Sequence, residues 1–167
     1  MIVKRHILDT LTDLEERYTQ ASTSSLEQIY YSKLAILEYC GWIEEAFDNI
    51  ARRCVKNKLK TQPYKQMLED SVIGGNHGFQ YKTNIRPMMI KAIGLREMEK
   101  IEVYLKTSGK LEILISELDA VKVDRDNAAH TWVLNTTRTY PAPSVTKSRL
   151  NKIYPIAKEI YTYIVNQ

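Results

Sequence analysis

The sequence predicts an all-α fold, an antiparallel helical bundle with a long second helix and additional short helices. Two observations carry this expectation. Only 6 glycines and 5 prolines punctuate 167 residues, too few for a sheet with many turns. Apolar residues also recur at three- and four-residue intervals through most of the chain, the period of helices with one buried face. A length of 167 residues suits one hydrophobic core and leaves little room for two. Residues 1–167 are therefore read as one domain, with an N-terminal helix over 2–20 and a core over about 24–167.

The first helix places Val3, Ile7, Leu11, Leu14 and Tyr18 on one stripe, with Asp9, Asp13, Glu15, Glu16 and Arg17 mostly between them. It ends in Ala21-Ser22-Thr23-Ser24-Ser25, where Ser24 and Glu27 have the spacing of a capping box for the next helix. That second helix is expected from Leu26 to about Lys58, with Leu26, Tyr30, Leu37, Cys40, Ile43, Phe47, Ile50 and Cys54 facing the core. Gly41 interrupts it at some cost in helix propensity, either as simple tolerance or where a neighbouring helix approaches closely. Cys40 and Cys54, fourteen positions apart on one helix, would lie roughly 21 Å from each other. They cannot form a disulfide and read as small core residues.

Pro63 closes the long helix, and a short helical piece through Tyr64, Met67, Leu68 and Val72 leads into Gly74-Gly75-Asn76-His77-Gly78, read as a surface loop. Neither glycine-rich phosphate-binding pattern is present. His77 reads as an exposed loop residue, because no cysteine, histidine or acidic cluster surrounds it at metal-ligand spacing; His6 reads the same way. From Asn84 a turn containing Pro87 opens a short helix that stops near Gly94. A second short helix carries Leu95, Met98, Ile101 and Leu105 to a break at Ser108-Gly109. The next helix presents Leu111, Leu114, Ile115, Leu118 and Val121 as its core face and runs on through Arg125 and His130 to Trp132. Residues Asn135 to Ser144 form a polar, proline-broken connection, and a last helix carries Leu150, Ile153, Ala157, Ile160 and Ile164, with Pro155 kinking it.

Composition excludes several classes. With 44% hydrophobic and 26% charged residues the chain is neither disordered nor fibrous. No run approaches the roughly 18 apolar residues of a membrane span, and the opening Met1-Ile2-Val3-Lys4-Arg5-His6 lacks a signal peptide's apolar stretch. A cytoplasmic protein without a membrane partner is expected. A net charge of +4 and a pI near 8.9 permit RNA binding without demanding it. Metal-dependent hydrolysis, serine or cysteine nucleophiles and dinucleotide binding each need a constellation that this sequence does not show, so no metal or cofactor is expected.

Two sets of residues carry chemistry. Arg52, Arg53, Lys56, Lys58 and Lys60 end the long helix, where cations complement the helix dipole and can also hold phosphates; Arg52, Arg53 and Lys56, with Lys122, are the RNA-binding candidates. The second set centres on Arg125, which continues the apolar stripe of Leu114, Leu118 and Val121. A cation thus stands where burial begins, and it must find a carboxylate, snorkel to solvent or line a cleft that receives an anion. His130 follows five residues later, roughly 140° around an ideal helix, so the two side chains of one chain do not converge. Asp126 and Asn127 lie four and three residues before His130, within reach of its imidazole. Trp132 shares a face with Arg125 and reads as a core anchor rather than a base-stacking platform.

Arg125-Asp126-Asn127-Ala128-Ala129-His130, an Arg-x4-His motif late in a helix with a polar residue straight after the arginine, resembles the signature of the HEPN superfamily. The long preceding helix, the broken linker and the closing helix resemble its four-helix core, from about Ser24 to Gln167. The resemblance implies a homodimer whose two motifs face one another and form a composite, metal-independent RNA-cleaving cleft. His130 would then be the general acid or base, Arg125 the phosphate-binding and charge-stabilising group, Asp126 the group orienting His130, and Asn127 an RNA contact or helix cap. It further implies a toxin or anti-phage defence effector, with an antitoxin or partner enzyme. HEPN toxins paired with a nucleotidyltransferase often carry a tyrosine where this chain has Trp132, which puts that mode of neutralisation in doubt. The alternatives are a non-catalytic HEPN module that dimerises and binds RNA or protein, and a plain helical adaptor in which Arg125 pairs with a carboxylate of another helix.

Overall fold

A computed structural model describes residues 2–22, 26–129 and 139–165. Among these the chain forms seven α-helices and no strand: α1 (Arg5–Gln20), α2 (Leu26–Val55), α3 (Gln62–Met67), α4 (Arg86–Ile93), α5 (Leu95–Thr107), α6 (Lys110–Ala129) and α7 (Pro143–Val165). All-α architecture is thus observed. Two π-helical turns flank the central loop: Leu68–Ile73 continues α3, and Tyr81–Ile85 leads into α4. Both contain backbone bonds reaching five residues back, from Gly74 to Glu69 at 2.8 Å and from Ile85 to Gln80 at 3.1 Å.

α2 is the hub and packs against α1, α6 and α7, while α4 and α5 close one end of the bundle against α2 and α6. Its neighbours run antiparallel to it or to each other. Trp42 of α2 donates to the Val3 carbonyl at 2.9 Å while Gln28 reaches Tyr18, so α1 and α2 run in opposite senses. Arg149 meets Asp124 and Lys152 meets Glu117, which sets α7 antiparallel to α6. The core is continuous through Leu11, Ile36, Tyr39, Ile43, Ile50, Leu105, Leu114, Leu118, Leu150 and Ile153, all buried. Each such side chain contributes about 2 kcal/mol by leaving water.

Several expectations need correction. The inward stripe of α2 is Ala35, Ile36, Tyr39, Ile43, Ala46, Phe47 and Ile50; Leu26, Tyr30 and Leu37, expected on that face, point to solvent together with Leu34. The sequence holds two apolar stripes on the N-terminal half of this helix, and α1, α6 and α7 cover one of them. Val3 likewise is exposed and precedes α1. Gly41 stands on the outer face, where an added Cβ would meet nothing within 4 Å, so no helix of the described residues approaches it. Pro63 opens α3 instead of closing α2, which already ends at Val55. The helical stretch before Gly94 begins at Tyr81, ahead of Asn84. Gly94 and Gly109 stop their helices with φ of 88° and 67°, conformations that favour glycine.

Cys40 and Cys54 are free and buried. No helix of the described residues is long and apolar enough to cross a membrane. Ser24 of the expected capping box, His130 and Trp132 lie outside the described residues.

Candidate functional site

Leu114, Leu118 and Val121 are buried along α6, and Arg125 follows at the point where the stripe leaves the core. Its side chain is 43% exposed and, among the described residues, makes one ion-pair contact, 3.4 Å from Nη1 to Oδ1 of Asp126. Of the outcomes open to a cation at the edge of burial, the guanidinium takes two: a neighbouring carboxylate and a cleft. That cleft, of about 610 Å³, lies between the last turns of α6, Glu44 of α2 and the segment from Asn76 to Asn84. Lys122, Arg125 and Asp126 form one wall; Asn76, His77, Gly78, Gln80, Thr83 and Asn84 line the other.

The loop wall is braced from within. Asn84 donates from Nδ2 to the His77 carbonyl at 3.1 Å, and its Oδ1 accepts from the Gln80 backbone N–H at 3.2 Å and from Thr83 Oγ1 at 3.1 Å. Asn76 donates to the Gly78 carbonyl at 3.3 Å. Gly78 has φ of 120°, and a Cβ there would sit 3.2 Å from Asn84 Oδ1. Both its backbone conformation and the close amide therefore favour glycine. Phe79 is buried and anchors the loop, while Gln80 donates to Asp119 of α6 at 3.3 Å. The second π turn is tied to α5, with Tyr81 donating to Glu102 at 2.9 Å and Arg86 pairing with the same carboxylate at 2.7 Å.

Electrostatically the α6 wall is a Lys122–Asp126–Arg125 cluster. Lys122 bonds Asp126 Oδ2 and Arg125 contacts Oδ1; the hydrogen bond from Lys122, reinforced by Arg125, holds the Asp126 carboxyl below the usual carboxylate range. Asp126 is thus an anion engaged by two cations of its own helix. Asn127 accepts at its carbonyl from the Tyr140 hydroxyl at 3.1 Å, which links the end of α6 to the approach to α7. Burial pushes the Cys40 thiol up to about 12, with Arg125 pulling the other way. Burial pushes the Cys54 thiol to about 12 as well, so neither is an activated nucleophile.

The expected RNA-binding residues divide. Lys122 shares the cleft with Arg125. Arg52 and Arg53 lie in the last turn of α2 and Lys56 just beyond it. Arg52 is paired with Glu69 at 3.1 Å and Glu45 at 3.6 Å, so its charge is compensated within the chain and it fastens the first π turn to α2. Beside it, burial raises the Asp48 carboxyl to about 6, with Arg52 opposing the shift.

Reading the sequence missed the loop wall. His77 is exposed, as expected of a loop residue, yet it lines the same cleft as Arg125. Among the described residues no group of three or more histidine, cysteine and acidic side chains is placed to hold a metal. Comparison with family models, curated proteins and solved structures finds no significant match, so the assignment of this chain rests on its own residues and geometry.

Proposed function

We propose that the chain is a metal-independent endoribonuclease of the HEPN type, acting in the cytoplasm as a toxin or anti-phage effector, with an antitoxin or partner enzyme to restrain it. The observation that supports this reading best is Arg125. Its guanidinium has five N–H donors, engages one carboxylate at 3.4 Å, and opens onto a polar cleft large enough for a nucleotide. In this reading it binds the scissile phosphate and takes up the extra negative charge of the pentacoordinate transition state. His130, which follows α6 in sequence, manages a proton. The 2′-hydroxyl attacks phosphorus and the 5′-oxygen leaves, giving a 2′,3′-cyclic phosphate and a 5′-hydroxyl; DNA lacks the nucleophile.

The reading includes a homodimer, for which the outward face of α2 is suited. Tyr30, Leu34 and Leu37 are exposed there at helical spacing, and the space above Gly41 is open. Two copies crossing antiparallel about the point between Leu34 and Leu37 would bring Tyr30 over Gly41 on both sides, the self-complementarity that a two-fold interface requires. The same face favours the second reading, a non-catalytic HEPN module that binds a partner.

Cleavage of structured and unstructured RNA in EDTA by the native chain, Arg125→Ala and His130→Ala separates the two. Loss of cleavage in both folded variants supports the ribonuclease; an inactive native chain, or cleaved DNA, refutes the mechanism.

A further inference from the structure

We propose that His77 is a second proton-transfer group of the Arg125 cleft, contacting the bound phosphodiester from the loop wall. Its chemistry rests on the ribonuclease reading above; its placement beside the anion does not. Cleavage by 2′-hydroxyl attack needs two proton transfers. O2′ gives its proton to one group as it bonds to phosphorus, the P–O5′ bond breaks, and O5′ takes a proton from another group. No bond to protein forms, and nothing is oxidised or reduced.

Within one chain, the α6 groups facing His77 across the cleft are poorly suited to the second transfer. Arg125 stays charged. Lys122 is bonded to Asp126, which is held as an anion by that bond and by Arg125. Glu44 of α2 also lines the cleft. Imidazole is the side chain that exchanges a proton most readily near neutral pH.

The loop fixes the backbone that carries this imidazole. Asn84 holds the His77 carbonyl at 3.1 Å, Asn76 holds the next carbonyl at 3.3 Å, and Gly78 takes the positive φ that turns the chain straight after it. The backbone is therefore clamped on the C-terminal side of His77, while the ring itself is exposed and makes no hydrogen bond or ion pair among the described residues.

The test has two arms on the full chain. In the first, histidine ring signals are followed by NMR, with His77→Asn assigning the resonance, as a 2′-O-methyl oligonucleotide that cannot be cleaved is added. The His77 signals are expected to move in the native chain and to stay fixed in Arg125→Ala. If they stay fixed in the native chain, whether or not the Arg125 amide moves, the proposal is overturned. This arm stands even if the native chain cuts no RNA, in which case the ribonuclease reading falls and the His77 contact is judged alone.

In the second arm, His77→Ala is expected to cut ordinary RNA about 100-fold more slowly or worse. On RNA with sulfur in place of the bridging 5′-oxygen, a leaving group that departs without a proton, either His77→Ala or His130→Ala should recover and the other should not. Native-rate cleavage by His77→Ala, or no recovery in either variant, overturns the proton-transfer role. Circular dichroism confirms that each variant is folded.

Discussion

Replacing Gly41 with alanine should stabilise the chain. Glycine in a helix interior is about 1 kcal/mol less favourable than alanine, because its backbone loses more freedom on folding. That gain is often cancelled by a clash, but here an added Cβ meets nothing within 4 Å. The full 1 kcal/mol or so should therefore appear, equivalent to a rise of about 2–4 °C in Tm for a domain of this size. Urea and thermal unfolding of Gly41→Ala beside the native chain, at a concentration low enough to keep both monomeric, measure it. Unchanged or lowered stability under those conditions would refute the reasoning, since it would require a neighbour that the fold does not place there. Repeating the experiment at higher concentration adds a second reading: if a second copy seats Tyr30 against this glycine, the advantage of alanine shrinks or reverses as the dimer forms.

Two further outcomes concern one half-buried and one buried polar group. Asp48 has a carboxyl raised by burial from 3.8 to about 6, so the folded chain binds this proton more tightly than the unfolded chain does. Its contribution to stability is greatest below about 4 and declines as pH rises to about 6. Asp48→Asn should flatten that slope and gain about 1 kcal/mol at pH 7, a figure discounted for partial exposure; an unchanged pH profile of the unfolding midpoint would count against it. Thr146 is 1% exposed and its hydroxyl finds no hydrogen-bond partner among the described residues, so Thr146→Val, which keeps the shape and removes the unmet group, should stabilise by about 1 kcal/mol in chemical denaturation. A loss of stability would mean that the hydroxyl is bonded after all.

Much of the bundle was legible because its helices carry single apolar stripes. Ile7, Leu11 and Leu14 of α1, Met98, Ile101 and Leu105 of α5, and Leu150, Ile153, Ala157 and Ile160 of α7 alternate with charge and are buried as periodicity requires. α2 was legible as a helix but not in its facing. Its N-terminal half carries Tyr30, Leu34 and Leu37 on one side and Ile36 and Tyr39 on the other, and hydrophobicity cannot say which stripe meets α1 and α7. At the site, Arg125 stood out because a cation continued an apolar stripe. The opposite wall gave no such signal: it consists of amides, a threonine, a glycine and a histidine distant in sequence, joined to α6 by tertiary packing. The interlock of Asn84 with His77 and Gly78 depends on backbone conformation, which composition does not encode.

The two π turns bear on how this cleft can change. Each closes its backbone hydrogen bonds one residue further along than an α-helix, as an α-helix does after absorbing a single-residue insertion. They stand at Leu68–Ile73 and Tyr81–Ile85, on either side of the loop that walls the cleft. The bundle joins them through Arg52–Glu69 on one side and Arg86–Glu102 on the other. Lengthening or shortening the chain by one residue between these anchors and the loop would rotate the loop's side chains relative to Arg125. The loop wall of the cleft can therefore be reset by insertion or deletion beside these turns, without any substitution in the helices that hold it.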